Sequence, residues 1–181
     1  MTLRLAPPSL GGLPGYVAAL ERGWSPNTER DVSAEQLALA RRDPAALLDE
    51  LTRPDGLIVS GAGKLIPRLP SRVFWLDDGE FCGSINLRFA PGTEVLPVAV
   101  NGHVGYAVVP WKRRRGYATR ALALLLPVAR EVGLGRIQIT CDDDNEPSRR
   151  VISANGGVFD GRYRSANGKT KLSFWIDLGR G

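Results

Sequence analysis

The sequence of 181 residues carries 24 lysines and arginines against 19 aspartates and glutamates, a formal net charge of +5. This length suits a single domain with one sizeable core, and no apolar run approaches the about 20 residues that a membrane-spanning helix requires. Cys82 and Cys141 are too few for a disulfide framework or a zinc cluster. These features predict a cytoplasmic protein that attracts anions; without a long basic tail, a nucleic acid is disfavoured as the main partner.

Short helices dominate the N-terminal third. The pattern predicts one strand and three helices, at residues 2–5, 16–22, 33–41 and from 43 onwards. Ser33 is the expected N-cap of the second helix, with Gln36 in the capping-box position. Pro44 is expected at the first helical position of the third. Glycine and proline recur every few residues from Pro54 to Pro70 and predict a loop or an irregular ribbon.

From Val73 the apolar period changes to two, which is typical of strands. Strands are predicted at 73–76, 81–89, 104–109, 136–141, 158–164 and 169–178. A helix at 116–132, bent by Pro127, connects the third to the fourth, so those two strands are expected to be parallel neighbours. Asn145 is the expected cap of a last helix, and the final strands form a hairpin across Asn167 and Gly168. An α/β fold with a mixed sheet follows.

The chain is organised around residues 103–119, where an apolar strand, a basic turn and a helix follow one another. Unpaired N–H groups and the positive dipole end at a helix N-terminus favour an anion. The basic side chains of residues 112–115 add positive charge. The segment predicts a site for a phosphate-bearing ligand. The alternative is a solvated basic turn, in which Gly116 serves only the backbone.

Two motifs sharpen this interpretation. Arg113-Arg114-Arg115-Gly116-Tyr117-Ala118 follows a strand, and Asn145-Glu146-Pro147-Ser148-Arg149-Arg150-Val151-Ile152 precedes Asn155-Gly156-Gly157. In this order the chain resembles the GCN5-related N-acetyltransferase (GNAT) superfamily, whose signature is Gln or Arg, two residues, Gly, one residue, and Gly or Ala. The resemblance covers about residues 74–159. It implies a mostly antiparallel central sheet with one splayed parallel strand pair, flanked by helices.

The resemblance also implies a single domain over residues 1–181. Residues 1–70 would shape the acceptor site, and residues 73–178 would hold the sheet and acetyl-CoA. The pantetheine arm would lie between the splayed strands, against the backbone of Val108 and Val109. The implied contacts to the rest of acetyl-CoA are Arg113, Arg114, Arg115, Gly116, Tyr117, Ala118, Thr119, Asn145 and Ser148. No metal is implied.

The implied reaction is direct transfer of the acetyl group to a primary amine in a ternary complex. His103 is the candidate general base, because the unperturbed pKa of histidine, about 6.5, suits proton uptake at neutral pH; alternatively it is a solvent-facing residue. Tyr106 could instead order a water relay. The tyrosine acid of many relatives is replaced within Val151-Ile152, which leaves Tyr163 as a distant candidate.

The acceptor itself stays open. The acidic segment Asp142-Asp143-Asp144 is expected to line its cleft and to favour a cationic amine. Two other functions fit the sequence: a GNAT-fold module that binds acyl-CoA without catalysis, and a nucleic-acid-binding protein that uses residues 112–115. The acceptor could be a small molecule, a peptide or a protein, and a homodimer is compatible with the sequence.

Overall fold

The computed structural model describes residues 2–59, 63–97, 100–165 and 168–179. Its elements, in chain order, are β1 (Arg4–Ala6), α1 (Leu13–Glu21), α2 (Ser33–Arg42), α3 (Pro44–Thr52), β2 (Leu57–Val59), β3 (Leu65–Pro67), β4 (Ser71–Asp77), β5 (Phe81–Arg88), β6 (Val104–Val108), a 3-10 helix (Pro110–Lys112), α4 (Tyr117–Glu131), β7 (Arg136–Asp142), α5 (Glu146–Ala154), β8 (Val158–Arg164) and β9 (Thr170–Asp177). The predicted hairpin residue Asn167 lies outside the described ranges.

The first sheet has the order β1-β4-β5-β6, with every pair antiparallel. Strand β4 begins at Ser71, two residues earlier than the predicted start at Val73. Of the two alternatives predicted between Pro54 and Pro70, a loop or an irregular ribbon, the structure has the ribbon, in which β2 and β3 pair antiparallel. Ile58 and Ile66 face each other across this ribbon, and such apolar cross-strand pairs stabilise a hairpin between flanking turns.

The second sheet has the order β7-β9-β8, again antiparallel, which confirms the predicted C-terminal hairpin. Strands β6 and β7 are therefore edge strands of different sheets. Within the described ranges no strand pairing joins them, so the parallel pair is not confirmed as a hydrogen-bonded ladder. Among the described residues, backbone hydrogen bonding joins this side of the two sheets near the strand starts, where the N–H of His103 donates to the carbonyl of Gln138 at 2.7 Å.

Two apolar clusters cover opposite faces of the sheets. One joins β5, β7 and β9 to α4 and α5 and contains Ile85, Leu122 and Ile139. Cys141 belongs to this cluster, as predicted, and is a free thiol. The other cluster lies under the N-terminal helices, where Tyr16 stacks on Trp75 with ring centroids 5.0 Å apart. The N-terminal helices therefore cover the face opposite to α4 and α5.

The starts of the helices follow local capping chemistry. The Asp43 side chain accepts from the N–H of Ala46 at 2.9 Å and begins α3, as predicted. The prediction of Ser33 as an N-cap was wrong, because Val32 is the cap of α2 and the N–H of Ser33 donates to Asp31 at 2.8 Å. Helix α4 continues through Pro127. Among the described residues, no helix combines the length and the apolar character needed to cross a bilayer.

Candidate active site

The turn before α4 presents a row of unpaired backbone donors. None of the six N–H groups from Arg114 to Thr119 donates to a backbone acceptor within the described part of the chain. Arg114 and Gly116 have φ angles of 61° and 75°, and such left-handed residues turn successive N–H groups into one concave surface. The positive dipole end of the 15-residue helix α4 lies at the same place. A phosphate-bearing ligand matches this surface.

The backbone conformation at position 116 requires a glycine. A β-carbon at this position would meet no atom of the described chain within 4 Å. Crowding inside the protein therefore does not explain the glycine. The left-handed φ angle does, since side chains disfavour that region, and the open space beside it leaves room for a ligand to approach the backbone.

The basic side chains of the turn fall into two groups. Arg113 to Arg115 are exposed, and Arg113 Nε donates to the carbonyl of Val108 at 3.2 Å. Lys112 is buried, with Nζ 2.8 Å from Asp78 and 2.9 Å from Glu80. The expectation that Lys112 adds charge to the anion site was therefore wrong, because two carboxylates balance it.

Asp78 anchors the start of α4. It accepts hydrogen bonds from Lys112 Nζ and from the Tyr117 hydroxyl. Burial raises the pKa of Asp78, but these hydrogen bonds outweigh burial and hold the pKa well below its ordinary value. The side chain of Tyr117 is thus engaged away from any ligand. Tyr117 can offer its backbone N–H to an anion.

One edge of β6 is open. On the paired side, the N–H of Val109 donates to the carbonyl of Cys82 on β5 at 3.0 Å. Because backbone groups alternate in direction along a strand, those of Tyr106 and Val108 point to the other side, towards β7. Of the two positions predicted to contact pantetheine, Val108 faces this gap, whereas the N–H of Val109 is already used.

The hydroxyl groups of Tyr106 and Ser148 lie close together at the side of the gap near α5. Asn145 caps α5, as predicted, by accepting from the N–H of Ser148 at 3.1 Å. The Tyr106 hydroxyl is buried without a hydrogen bond of normal geometry among the described residues. Burial raises the pKa of Tyr106 to about 12, and the Ser148 side chain lowers it in part. Tyr163, a predicted candidate acid, donates to Asn101 Oδ1 at 3.1 Å.

His103 fastens β6 to β7. Its side chain is fully buried, and Nδ1 accepts from the N–H of Gln138 at 2.9 Å. The ring proton therefore lies on Nε2, which has no partner among the described residues. Burial lowers the pKa of His103, which keeps the ring neutral at pH 7. With its one lone pair occupied and no exposed edge, the ring is poorly placed to act as the predicted base, and the solvent-facing alternative was wrong.

The opposite face of the sheets is polar where the N-terminal helices do not cover it. Alternating positions of four strands supply Ser84, Asn86, Arg88, Gly105, Gln138, Thr140, Asp142, Lys171 and Ser173. The buried ammonium of Lys171 bonds Asp142 at 2.7 Å and also contacts Glu29. Glu29 lies between α1 and α2, so this cluster holds the α1–α2 segment against the second sheet.

The acidic segment that follows β7 is largely neutralised. Asp142 contacts Lys171 and Lys169, and Asp143 lies 3.3 Å from Arg162. Residues 142–144, with Lys169 and Thr170, line a pocket of about 450 Å³. The charge expected to attract a cationic amine is therefore offset by three basic side chains.

Glu29, Arg88 and Lys171 are site residues that sequence reasoning missed. Lys171 and Arg88 occupy strand positions next to apolar ones, and this alternation is equally typical of solvent-facing side chains. Glu29 lies in a segment without a motif. Only the three-dimensional arrangement brings these charged groups to one face.

The fold and the turn together place a helix start suited to an anion beside the open edge of a strand. The sequence model described as "Acetyltransferase (GNAT) family" matches residues 43–156. The chain belongs to this acetyltransferase family. It is an acetyl-CoA-dependent N-acetyltransferase, which confirms the predicted family, fold class and co-substrate.

Solved structures share the fold over nearly the whole chain. RimJ of Mycobacterium smegmatis, in complex with CoA-disulfide, is 22% identical, with a TM-score of 0.67 over 97% of this chain and 81% of that chain. RimL, a ribosomal L7/L12 alpha-N-protein acetyltransferase in complex with coenzyme A, is 14% identical, with a TM-score of 0.66 over 98% and 94%. A chimera of the spermidine N-acetyltransferase SpeG from Vibrio cholerae and hSSAT is 12% identical, with a TM-score of 0.59 over 98% and 97%. No curated protein matches the chain significantly.

Proposed function

We propose that this enzyme transfers the acetyl group of acetyl-CoA to a primary amine by direct attack in a ternary complex. The observation that carries the proposal is the row of six N–H groups from Arg114 to Thr119, which donate to no backbone acceptor in the described part of the chain and lie beside the open edge of β6. The row suits the pyrophosphate, and the edge suits the amide groups of pantetheine. RimL and SpeG, by their names, act on a protein α-amine and on spermidine, which supports an amine acceptor.

In the proposed reaction the amine nitrogen attacks the thioester carbonyl carbon. A C–N bond forms, the C–S bond breaks, and CoA leaves as a thiolate that takes up a proton while the new ammonium loses one. The backbone of Val108 faces the gap and can orient the arm. The hydroxyls of Tyr106 and Ser148 are the groups we propose to solvate the thiolate. A thiol pKa of about 8.5 makes strong acid assistance unnecessary.

The acceptor must be neutral to attack, because an ammonium has no lone pair. We propose that His103 holds β6 against β7 and does not act as the predicted base. The α-amine at the N-terminus of a peptide, with a pKa of about 7.7–8.0, is neutral to roughly 10–20% at pH 7, whereas a lysine amine with a pKa of about 10.4 is neutral to less than roughly 0.1%. A peptide α-amine therefore depends less on a base than a lysine amine does, and we favour an α-amine as the acceptor.

The N-terminal third is proposed to shape the acceptor site. The contact between Glu29 and Lys171 supports this role, since it brings the α1–α2 segment to the polar face. The single-domain organisation and the possible homodimer remain predictions. The free thiols of Cys82 and Cys141 support the predicted cytoplasmic setting.

Calorimetry with acetyl-CoA tests the co-substrate site. Gly116→Glu is expected to abolish binding, because it places a side chain and a negative charge among the N–H donors. Gly133→Glu is the matched control: Gly133 also has a positive φ angle and open space around it, but lies after the other end of α4. Wild-type protein that binds no CoA ester would refute the proposal.

Release of free thiol from acetyl-CoA with a panel of amines tests the transfer. Turnover with a primary amine is the expected result. Binding of acetyl-CoA without thiol release, with any amine in the panel, would instead favour the non-catalytic module.

A further inference from the structure

Arg88, the last residue of β5, carries a guanidinium group without a counter-ion. Its side chain makes no hydrogen bond and no ion pair with any described residue, although its Nε atom is fully enclosed. The side chains outside the described ranges include no carboxylate. The two buried lysines differ, because Lys112 and Lys171 each contact two carboxylates.

A half-buried charge with one enclosed nitrogen and no ion pair among the described residues gives folding little in return for its lost hydration. Burial lowers the pKa of Arg88, and the charge of Glu29 raises it in part from beyond ion-pair distance. A guanidinium nevertheless stays protonated in proteins. Folding therefore leaves a fixed positive charge on a half-buried side chain, which a negatively charged group of another molecule can reach.

The guanidinium lies on the polar face of the sheets, directly over β6. A β-carbon at Gly105 would lie 2.9 Å from Arg88 Nη2 and 2.7 Å from Asn86 Oδ1. Asn86 Oδ1 also accepts from the N–H of Gly105 at 3.1 Å. The missing side chain at Gly105 thus provides the room in which the guanidinium reaches across the strand.

With the thioester beside Val108, where the proposed arm would lie, Arg88 is within reach of an acceptor held there. Gly105 and Val108 are three residues apart, which is about 10 Å at roughly 3.3 Å per residue of strand. A reacting pair of atoms occupies about 3 Å of this span, and a charge-assisted hydrogen bond occupies about 2.8 Å. The remaining distance, about 4 Å, matches an amine and a carboxylate within one amino-acid residue.

We infer that the acceptor carries a carboxylate close to its amine, and that Arg88 binds this carboxylate as the specificity-determining contact. The inference rests on the proposed acetyl transfer. The carboxylate can be the α-carboxylate of a free amino acid or the side chain of an acidic residue at the N-terminus of a peptide. Arg88 holds either one through its fork of donors, which matches a carboxylate in two hydrogen bonds.

Matched acceptor pairs test the inference in the thiol-release assay. One pair is alanine and alaninamide, and the other is a peptide amide beginning with aspartate and its counterpart beginning with asparagine; spermidine represents amines without a carboxylate. The wild type is expected to prefer the carboxylate member of at least one pair by about 10- to 100-fold in kcat/KM calculated per neutral amine, because the carboxylate also raises the pKa of the neighbouring amine. The pair that responds identifies the source of the carboxylate.

Arg88→Met should remove this preference and leave the Kd for acetyl-CoA unchanged. Arg72→Met is the matched control, because Arg72 is exposed and lies on the other face of the sheet from Arg88. Arg72 is opposite Leu87 in the strand register, and Leu87 is in the core on that other face. Arg88→Lys keeps the charge without the fork; it should retain part of the preference and replaces the methionine variant if that variant unfolds.

Each outcome decides between the two proposals. Equal rates within both pairs, activity confined to spermidine, or an unchanged preference in the Arg88 variants would overturn the inference while acetyl transfer stands. A panel in which no carboxylate-bearing amine is acetylated, despite acetyl-CoA binding, would also overturn it. Failure to bind acetyl-CoA would refute the proposed function itself.

Discussion

Replacement of Lys112 by methionine tests how the anion-binding turn is held in place. Methionine keeps much of the length of the side chain but removes the charge, so Asp78 loses its main partner. The two side chains are only 8% and 10% exposed. Breaking such a buried pair from one side costs about 3–5 kcal/mol. Tyr117 still donates to Asp78, and we therefore expect a loss of about 3 kcal/mol in the free energy of unfolding.

Urea unfolding of Lys112→Met, Asp78→Asn and the double variant measures this loss and the coupling between the two groups. The pKa of Asp78 is lowered and that of Lys112 is raised in the folded state. The stabilisation should be complete above about pH 5, decline as the pH falls below the unfolded pKa of aspartate near 3.9, and decline again above the unfolded pKa of lysine near 10.4.

The exposed pair of Arg41 and Glu21 provides the control, with side chains 65% and 46% exposed. Arg41→Met should cost less than about 1 kcal/mol. If Lys112→Met costs no more than Arg41→Met at pH 7, Lys112 and Asp78 are not a buried pair, and the account of the turn fails. A loss that persists unchanged at pH 2 would equally contradict the electrostatic origin.

Three further substitutions test other parts of the site. Gly83→Ala should cost about 3 kcal/mol in urea unfolding, because a β-carbon would lie 2.2 Å from the Ala107 carbonyl oxygen at a φ angle of 141°; Gly11→Ala, with nothing within 4 Å, should stay within about 0.5 kcal/mol. His103→Asn should lower the free energy of unfolding yet keep the shape of the pH–rate profile. Because burial lowers the pKa of His103, the wild type should lose stability as the pH falls below about 6.5, and the variant should not. A pH–rate profile that loses an ionisation in the variant would restore the role of His103 as a base. Tyr106→Phe should leave the free energy of unfolding within about 1 kcal/mol, because the hydroxyl makes no hydrogen bond of normal geometry with a described residue. It should lower kcat; an unchanged kcat would exclude Tyr106 from thiolate solvation.

The parts of the fold that sequence predicted well are those fixed by local chemistry. Asn145 and Asp43 cap their helices through their own side chains. Gly116 marks the start of α4, because few other residues adopt its φ angle without strain. The anion-binding turn depends on such local rules, and its position could therefore be predicted.

The parts that sequence missed depend on contacts between distant residues. Lys112 belongs to a basic run, yet Asp78, 34 residues away, determines that it is buried. Glu29 and Lys171 are separated by 142 residues. His103 was expected to act on the substrate because histidine titrates near neutral pH. The N–H of Gln138 fixes its tautomer instead, and burial lowers its pKa.

The single meeting point of β6 and β7 has a consequence for the enzyme as a whole. Four strands lie on one side of the gap and three on the other, and within the described ranges only the contacts of His103 with Gln138 bridge their backbones. A pantetheine arm bonded to both edges would make the two sheets continuous. Acetyl-CoA at 100 times its Kd would add about 2.7 kcal/mol to stability, and much of it would act between the halves. The bound acyl donor would then act as an eighth strand between the four strands of one sheet and the three of the other. Local unfolding of one sheet without the other would be suppressed for as long as the donor stays bound.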